Sequence, residues 1–349
     1  MEIIYRPFAL AAGIFLVAAL VLAQSQASGP YQVLKTAKVG GEGGFDYVTA
    51  DSVGRRLYIP RRAASARISV FDLDTLAPVG EMPHFDAHGV AIDPKSHHGF
   101  ATSKPVLMFD TNSLATIKTI DVQGNPDGIL FDPFNERVYE LSHAQPNATV
   151  IDAKDGSIAG TIDLGGEPEE GASDGAGHLY FNLEDKDSIA VVDAKTLSVT
   201  GHYDLAGKGG GCAGMGMDVK NHILFATCRK PQNMVILDAP TGNILAALPI
   251  GAGSDAAVFN PATMEAFSSN GDGTLTVVKE NSPTSFSVEQ NLATMTGAKT
   301  LALDTKTNRI FLITAEFTPP PPDAPKGPGG RPARPVMVPD SFSILVAGK

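Results

Sequence analysis

Ionisable residues recur along this chain at intervals of 39–44 residues, and they carry most of the chemistry that the sequence offers. The recurring position holds Asp46, His88, Asp127, Glu169, Ala213, Asp255 and Lys299. Carboxylate oxygens suit a hard cation such as Ca²⁺ or Mg²⁺, and an imidazole adds Zn²⁺ to that choice. If these positions converge in space, the candidate metal ligands are Asp46, His88, Asp127, Glu169 and Asp255. Together with Lys299 they form a candidate ligand-binding site.

A second recurring set follows the first by 15 or 16 residues and carries mostly the opposite charge. It comprises Arg62, Lys104, His143, Glu184, Arg229 and Asn270. Arg62, His143 and Arg229 are candidate ligand-binding residues, because mixed charges suit a ligand that bears a carboxylate or phosphate. Alternatively, Asp46 pairs with Arg62 and Asp127 with His143, so that the two sets neutralise each other. Partly exposed pairs of this kind contribute about 0–1 kcal/mol each.

An aspartate or asparagine stands five residues after each position of the first set, at the end of an apolar strand. These anchors are Asp51, Asp93, Asp132, Asp174, Asp218, Asn260 and Asp304. A period of roughly 40–45 residues with several short strands per unit is typical of a β-propeller with one four-stranded blade per repeat. The sequence therefore predicts an all-β, seven-bladed propeller, with blades at 45–83, 87–124, 126–166, 168–207, 212–253, 254–295 and 296–348.

The two ends of the repeat array predict how the ring closes. The last repeat lacks a fourth strand, and the segment 31–39 precedes the first complete repeat and has the character of an unpaired strand. Pairing of this N-terminal strand with the last blade would close the ring and remove exposed sheet edges. Residues 31–349 are accordingly expected to form one domain.

Propeller topology also predicts where a site would lie. The innermost strand a of each blade lines the central channel, and the loops that enter strand a share one face with the loops joining strands b and c. The first recurring set should therefore surround one channel mouth. A Pro/Gly-rich insertion at 318–339 replaces the short b–c connection of the last blade on the same face. It either covers the mouth or docks a partner, or it is a tolerated flexible insertion.

Four strand b segments carry a resemblance to a known family. They are YIPR at 58–61, FATS at 100–103, YELS at 139–142 and FATC at 225–228. With the repeat length, they make the chain from about residue 31 onward similar to the YVTN-repeat (YncE-like) family of exported bacterial seven-bladed β-propellers. The resemblance implies an exported propeller and transfers no catalytic residues. The absence of tryptophan argues against a WD-type propeller.

The N-terminal segment predicts export. Arg6 precedes an apolar run at 8–23, and small residues allow cleavage after Ala23 or Ala27, which gives a signal peptide of 23 to 27 residues. The alternative is an uncleaved membrane anchor, although the run is shorter than the ~20 residues of a typical span. We expect a periplasmic or secreted protein that is monomeric and not stably inserted in a membrane after cleavage.

The two cysteines, Cys212 and Cys228, predict a disulfide. They are equidistant from the turn between strands a and b of the fifth blade, near Lys220, so they should face each other across two antiparallel strands. An oxidising compartment would favour the bond. The alternative is a pair of buried free thiols.

Charge and motifs narrow the function classes. The net charge is −11 and no Lys/Arg-rich run is present, which argues against nucleic-acid binding. The leading hypothesis is a non-catalytic binding or scaffold protein of the cell envelope, with no catalytic residues, that uses the channel-mouth face for an unknown protein or small-molecule ligand. The alternative is a metal-assisted hydrolase or lactonase with a divalent cation at the mouth, an analogy at the level of the fold.

Overall fold

A computed structural model describes residues 29–320 and 335–349 of the chain, together with Met1. The predicted signal peptide lies outside the described residues apart from Met1, as do residues 321–334 of the Pro/Gly-rich insertion. Among the described residues, no helix has the length and apolar character needed to cross a membrane.

The prediction of an all-β, seven-bladed propeller is confirmed, and four antiparallel strands build each blade from the channel outward. Blade two consists of β7 (Val90–Asp93), β8 (His98–Ala101), β9 (Val106–Asp110) and β10 (Thr116–Ile120). Blade three consists of β11 (Pro126–Asp132), β12 (Arg137–Ser142), β13 (Ala148–Asp152) and β14 (Ile158–Ile162). Blade four consists of β15 (Pro168–Ser173), β16 (His178–Leu183), β17 (Ser188–Asp193) and β18 (Ser198–Asp204). Blade five consists of β19 (Cys212–Asp218), β20 (Ile223–Arg229), β21 (Gln232–Asp238) and β22 (Ile244–Pro249). Blade six consists of β23 (Ser254–Asn260), β24 (Glu265–Asn270), β25 (Thr274–Ser282) and β26 (Ser285–Ala293).

The first and last blades depart from this regular pattern. In blade one the inner strand is split into β2 (Gly44–Phe45) and β3 (Thr49–Asp51), followed by β4 (Arg56–Arg62), a 3-10 turn (Ala63–Ser65), β5 (Arg67–Asp72) and β6 (Pro78–Pro83). Blade seven takes β27 (Leu301–Asp304), β28 (Arg309–Thr314) and β31 (Ser343–Gly348) from the C-terminal part and β1 (Gln32–Lys38) from the N-terminal part. Between β28 and β31, the ends of the insertion pair as a short ribbon of β29 (Phe317–Thr318) and β30 (Val336–Met337).

The predicted closure by the N-terminal strand is therefore present. β1 runs antiparallel to β31, and Tyr31 just before it anchors the strand on blade six. The Tyr31 amide donates to Gln290 Oε1 at 2.9 Å, Gln290 Nε2 donates back to the Tyr31 carbonyl at 2.8 Å, and the Tyr31 hydroxyl donates to the buried Glu265. These contacts fix the position where the ring closes.

The anchor residues stabilise the turn between strands a and b in all seven repeats. In each, a side-chain oxygen accepts a hydrogen bond from the backbone N–H two residues later, at 2.7–3.2 Å. This Asx-type turn explains why the repeat requires Asp or Asn there. The anchors lie at the far end of the inner strands, on the face opposite the first recurring set.

The apolar core lies between neighbouring blades. Each of seven buried clusters draws its side chains mainly from two adjacent blades; one example joins Tyr58 and Val70 of blade one to Val90 and Phe109 of blade two. A blade is thus stabilised by both neighbours, as in other repeat architectures. The closing strand matters because it completes the last of these interfaces.

Cys212 and Cys228 face each other across β19 and β20 and are joined by a disulfide. The bond closes a loop with a sequence separation of 16 residues. Replacing both cysteines with alanine is expected to lower the free energy of unfolding by about 2 kcal/mol, since a loop of this size restricts the unfolded chain. Urea unfolding of the variant and of the dithiothreitol-treated parent would measure it. An unchanged midpoint in both would show that the bond does not stabilise the fold.

Candidate functional site

The first recurring set meets at one mouth of the channel, because its members occupy the first residues of the inner strands or the loops just before them. Asp127, Glu169 and Asp255 are the second residues of β11, β15 and β23, respectively. Asp46, His88 and Lys299 precede β3, β7 and β27, respectively. The blade-five position, Ala213, is buried and contributes no charge.

Nine side chains form a closed circuit of contacts around this mouth, which we call the charge ring. In order they are Asp46, His88, Asp127, His143, Glu169, Glu184, Arg229, Asp255 and Lys299. Arg62 adjoins it, with Nη1 3.1 Å from His88 Nδ1 and 3.8 Å from Asp46 Oδ2. Every residue that the sequence analysis proposed for ligand binding thus lies in the charge ring or beside it.

His88 bridges the carboxylates of two flanking blades. Its Nδ1 lies 2.8 Å from Asp46 Oδ2 and 2.6 Å from Asp127 Oδ1. Burial disfavours the imidazolium, but the hydrogen bonds to Asp127 and Asp46 prevail and raise the pKa of His88 to about 9. The imidazolium is therefore the dominant form at neutral pH, and a protonated His88 cannot coordinate a metal through Nδ1 until that proton leaves.

His143 lies between the next two carboxylates. Its Nε2 is 3.1 Å from Asp127 Oδ2 and 3.6 Å from Glu169 Oε1, yet this nitrogen is buried without a hydrogen bond to any described residue. The distances are those of an ion pair, while the angles are not those of a hydrogen bond. Asp127, His143 and Glu169 each offer one ligand atom, and these atoms lie within 4.8 Å of one another, as do those of Asp46, His88 and Asp127.

The carboxyl groups of Glu169 and Glu184 stand next to each other, within hydrogen-bonding reach. Burial and the hydrogen bond to Glu184 raise the pKa of Glu169, while the same hydrogen bond holds the pKa of Glu184 below its usual range. The Tyr47 hydroxyl donates to Glu169 Oε2 at 2.8 Å. These opposite pKa shifts favour Glu169 over Glu184 as the protonated partner of the pair.

Arg229 spans the gap left by the alanine of blade five. Its two terminal nitrogens reach Glu184 of blade four and Asp255 of blade six. Asp255 also pairs with Lys299, whose ammonium lies 3.7 Å from Asp46 and so completes the circuit. One guanidinium therefore links three blades, a use for which its planar fork is suited.

The members of the charge ring differ in how far they reach toward solvent. Asp127, Glu169 and Asp255 expose only 11%, 10% and 12% of their side chains and Asp46 exposes 20%, whereas Arg229, Glu184 and Lys299 expose 29%, 31% and 38%. Arg229 and Lys299 are therefore accessible to a ligand at the mouth. Asp255, which is less exposed and pairs with both cations, holds them in position.

Two polar residues at the mouth, Tyr47 and Glu170, were not among the predicted site residues. Both stand four residues before an anchor, and Glu170 is directed into the channel below the charge ring. The equivalent positions of the other repeats are Gly89, Gly128, Gly214, Ala256 and Thr300. A Cβ at Gly214 would lie 2.4 Å from the backbone of the next blade, so inner strands this close leave little space. In an alignment of the repeats, two large side chains at a position that otherwise holds small residues could have identified Tyr47 and Glu170 as candidate site residues.

Comparison with known proteins identifies the class and nothing narrower. No protein-family model matches the chain, and no curated protein is similar enough in sequence to count as a relative. In fold, 1636 chains of solved structures match it.

One of these chains belongs to the crystal structure of a mitotic checkpoint complex. It superposes with a TM-score of 0.69 over 89% of this chain and 96% of its own length, at 12% sequence identity. Identity this low shows a shared fold alone. The chain is accordingly a seven-bladed β-propeller with a ring of paired charges at one channel mouth.

Proposed function

We propose that this protein is a non-catalytic binding protein of the cell envelope whose charge ring recognises a carboxylate- or phosphate-bearing group on a small molecule or protein partner. The observation that carries the proposal is that Arg229 and Lys299, 29% and 38% exposed at the mouth, are both held by the less exposed Asp255. Propellers commonly serve as binding or scaffold folds, and convergent polar groups in a concave mouth can fix the orientation of a ligand.

Several features support recognition of an anion at this mouth. Arg229 offers a planar fork that matches carboxylate and phosphate groups, and Lys299 offers a compact charge beside it. Both are held by Asp255, so that a ligand would find them already positioned and lose less free energy in ordering them. The resemblance to YVTN-repeat propellers and the predicted signal peptide support export to the periplasm or medium, as a monomer.

Replacing Arg229 with glutamine should weaken the binding of anions by about tenfold or more, because a charge-assisted contact is worth roughly 1.5–3 kcal/mol. Calorimetric titration with citrate and with inorganic phosphate, at constant ionic strength, would measure the change. Lys104→Gln is the matched control, since Lys104 lies in the loop between β8 and β9 of blade two, at the same face, but outside the charge ring. Equal affinities of parent and Arg229→Gln, or no anion binding by the parent, would remove the support for this function.

A second candidate, a metal-assisted hydrolase or lactonase, is favoured by one observation: His143 Nε2 lies between two carboxylates without a hydrogen bond. Asp127, His143 and Glu169 would hold a divalent cation such as Zn²⁺, Ca²⁺ or Mg²⁺, with Asp46 and His88 as the neighbouring set and Asp255 further around the ring. A bound cation would polarise a substrate carbonyl and activate water.

Elemental analysis of protein purified without chelator separates the two candidates. The binding proposal expects no stoichiometric metal and no change in melting temperature with EDTA. About one metal ion per chain, lost in Asp127→Asn together with a fall of several degrees in EDTA, would favour the hydrolase instead. Lactone and ester substrates would then be the compounds to screen.

A further inference from the structure

Blade five contributes one residue to the charge ring, Arg229, and the same blade carries both cysteines of the chain. Cys228 directly precedes Arg229 at the end of β20, and Cys212 directly precedes Ala213, the ring position without a charge. The disulfide that joins the two cysteines therefore lies at the mouth end of the blade, one position before Arg229 along the chain.

Backbone pairing between β19 and β20 is interrupted close to this disulfide. Cys212 pairs with Cys228, but the next pair along the strands is Gly214 with Thr227, which leaves Ala213 without a partner on β20. A bulge of this kind disrupts the ladder of hydrogen bonds locally. Cys212 and Cys228 form the pair on the mouth side of the bulge, and the disulfide makes that pair covalent. The bond therefore ties the end of β20 to β19 at the point where the ladder is interrupted.

The glycine-rich loop before β19 packs on the disulfide and also holds the backbone of Arg229. A Cβ at Gly209 would lie 3.2 Å from Cys212 Sγ and closer still to Cys228 Sγ, so this approach requires a residue without a side chain. The carbonyl of the next residue, Gly210, accepts a hydrogen bond from the Arg229 N–H at 3.0 Å. The disulfide, the loop and the Arg229 backbone thus form one connected unit.

The Arg229 side chain needs an accurately placed backbone because its contacts lie on two other blades. Its terminal nitrogens reach Glu184 of blade four and Asp255 of blade six, and Nε donates to the Ser254 carbonyl at 3.2 Å. A guanidinium is a rigid planar fork, so a shift of the strand end cannot preserve all three contacts. The two cysteines are only 1% and 0% exposed, so they influence a ligand at the mouth through Arg229 and not by touching it.

We propose that the Cys212–Cys228 disulfide is a positioning element of the anion site, which holds the Arg229 guanidinium where it binds a carboxylate or phosphate group. This inference rests on the function proposed above for the charge ring and adds a covalent requirement to it. Without the bond, the end of β20 and the glycine-rich loop are free to move, and a ligand must order Arg229 when it binds. The affinity of the mouth for anions therefore depends on the oxidation state of the two cysteines.

Calorimetric titration with citrate, applied to a variant with both Cys212→Ala and Cys228→Ala, tests the proposal. Its affinity for citrate should fall by about three- to tenfold, the expected effect of one long side chain that is ordered only on binding. In an Arg229→Gln background the same double change should have no effect, because the bond acts through Arg229. Ile223→Val, a buried truncation at the far end of β20, controls for lost stability and should leave the affinity unchanged. A variant with valine at both cysteine positions retains more side-chain volume and replaces the alanine variant if that one does not fold.

Hydrogen exchange at Arg229 Nε gives a second readout that needs no ligand. This N–H donates to the Ser254 carbonyl, and its NMR signal in protein with isotope-labelled arginine can be assigned by its loss in Arg229→Gln. The signal should exchange about tenfold faster in the cysteine-free variant than in the parent, whereas Arg55 Nε, which donates to Asp74 in blade one, should be unchanged.

The two readouts separate failure of this inference from failure of the proposed function. Unchanged exchange at Arg229, an unchanged citrate affinity in the cysteine-free variant, or an equal loss of affinity with and without Arg229 would each overturn the positioning role. No citrate binding by the parent, together with faster exchange at Arg229 in the variant, would remove the anion site and leave the positioning of Arg229 by the disulfide supported.

Discussion

Replacing Arg61 with alanine is expected to lower the free energy of unfolding by about 3–5 kcal/mol, the largest effect of any single substitution considered for this chain. Arg61 lies in β4 and is among the largest fully buried side chains, with 2% of its surface exposed. Its guanidinium donates to the carbonyls of residues 40–43 at 3.0–3.4 Å and lies 3.6 Å above the Phe342 ring. The substitution removes all of these contacts and leaves a cavity.

The position of these contacts explains why the effect should be global. Residues 40–43 connect β1, the closing strand in blade seven, to β2 in blade one, and Phe342 precedes the other strand of the closure. The Arg61 side chain therefore joins the first blade to the segments next to both β1 and β31, the two strands that complete the last blade. Burial and the neighbouring Arg67 lower the pKa of Arg61 to about 10, so the guanidinium remains charged at neutral pH.

Urea unfolding at pH 7 would measure the change, with Arg56→Ala as the matched control. Arg56 lies on the same strand, but its side chain is 28% exposed and its pairing with Asp72 is loose, at 3.8 Å. The control should change the free energy of unfolding by less than about 1 kcal/mol. Arg61→Lys should recover little, because one ammonium cannot replace a fork that reaches four carbonyls. Similar values for Arg61→Ala and Arg56→Ala would show that the closure does not depend on this contact.

The architecture was predictable because its signals are local and repeated. Each anchor caps a turn through its own side chain, as Asp51 does for Val53 and Gly54, so the period survives in the sequence whatever the blades pack against. The closing strand could be inferred because a missing fourth strand at one end matches a spare strand at the other. The membership of the channel mouth followed from the same alignment.

Only part of the pairing within the mouth could be predicted. Asp127 lies 3.1 Å from His143, as the alignment suggested, but the other partner choices depend on side chains that cross between blades. The alignment suggested that Asp46 pairs with Arg62, but the nearest base to Asp46 is His88, and Arg62 lies farther away. The alanine at blade five looked like a gap, and the structure shows that Arg229 fills it by spanning from Glu184 to the next blade. Such reach depends on three-dimensional spacing that no single repeat encodes.

Two adjacent arginines show a second limit of prediction from the sequence. Arg61 and Arg62 alternate on β4, so the sequence implies that they face opposite sides, but it does not say which is buried. The answer depends on the carbonyls of residues 40–43, a glycine-rich segment in which Gly40, Gly41 and Gly43 adopt positive φ angles of 67°, 78° and 105°. Only that backbone shape directs several carbonyls at one guanidinium.

Replacing Glu140 with glutamine is expected to favour the folded state more at pH 8 than at pH 4. The difference in the free energy of unfolding between variant and parent, measured at the same pH, should be about 3 kcal/mol more favourable to the variant at pH 8 than at pH 4. Glu140 lies in β12, fully buried, and neither carboxyl oxygen hydrogen-bonds a described residue. Burial raises its pKa from 4.5 to about 7, although the nearby Thr149 and Lys104 act in the opposite direction. Thr149 lies opposite Glu140 in register, but no hydrogen bond forms between their side chains.

The sign follows from proton linkage. Because the carboxyl binds its proton more tightly in the folded state, its contribution to stability is fully present below pH 4.5 and is lost as the pH rises through about 7. Glutamine carries no proton to lose, so the variant escapes this loss. Glu169 and Glu170 also have raised pKa values, but they are the same in both proteins and cancel in the difference.

Urea unfolding of parent and variant at pH 4 and pH 8 gives the four free energies of unfolding that are needed. Glu136→Gln is the control, because Glu136 precedes the same strand with a half-exposed side chain and should show a difference that changes by less than about 0.5 kcal/mol between the two pH values. A flat difference for Glu140→Gln would contradict the raised pKa. The folded protein would then have to compensate the charge. Thr149, opposite Glu140 in register, and Asn147 both carry buried oxygens without hydrogen-bond partners among the described residues, and these would mark where a bound cation or water does so.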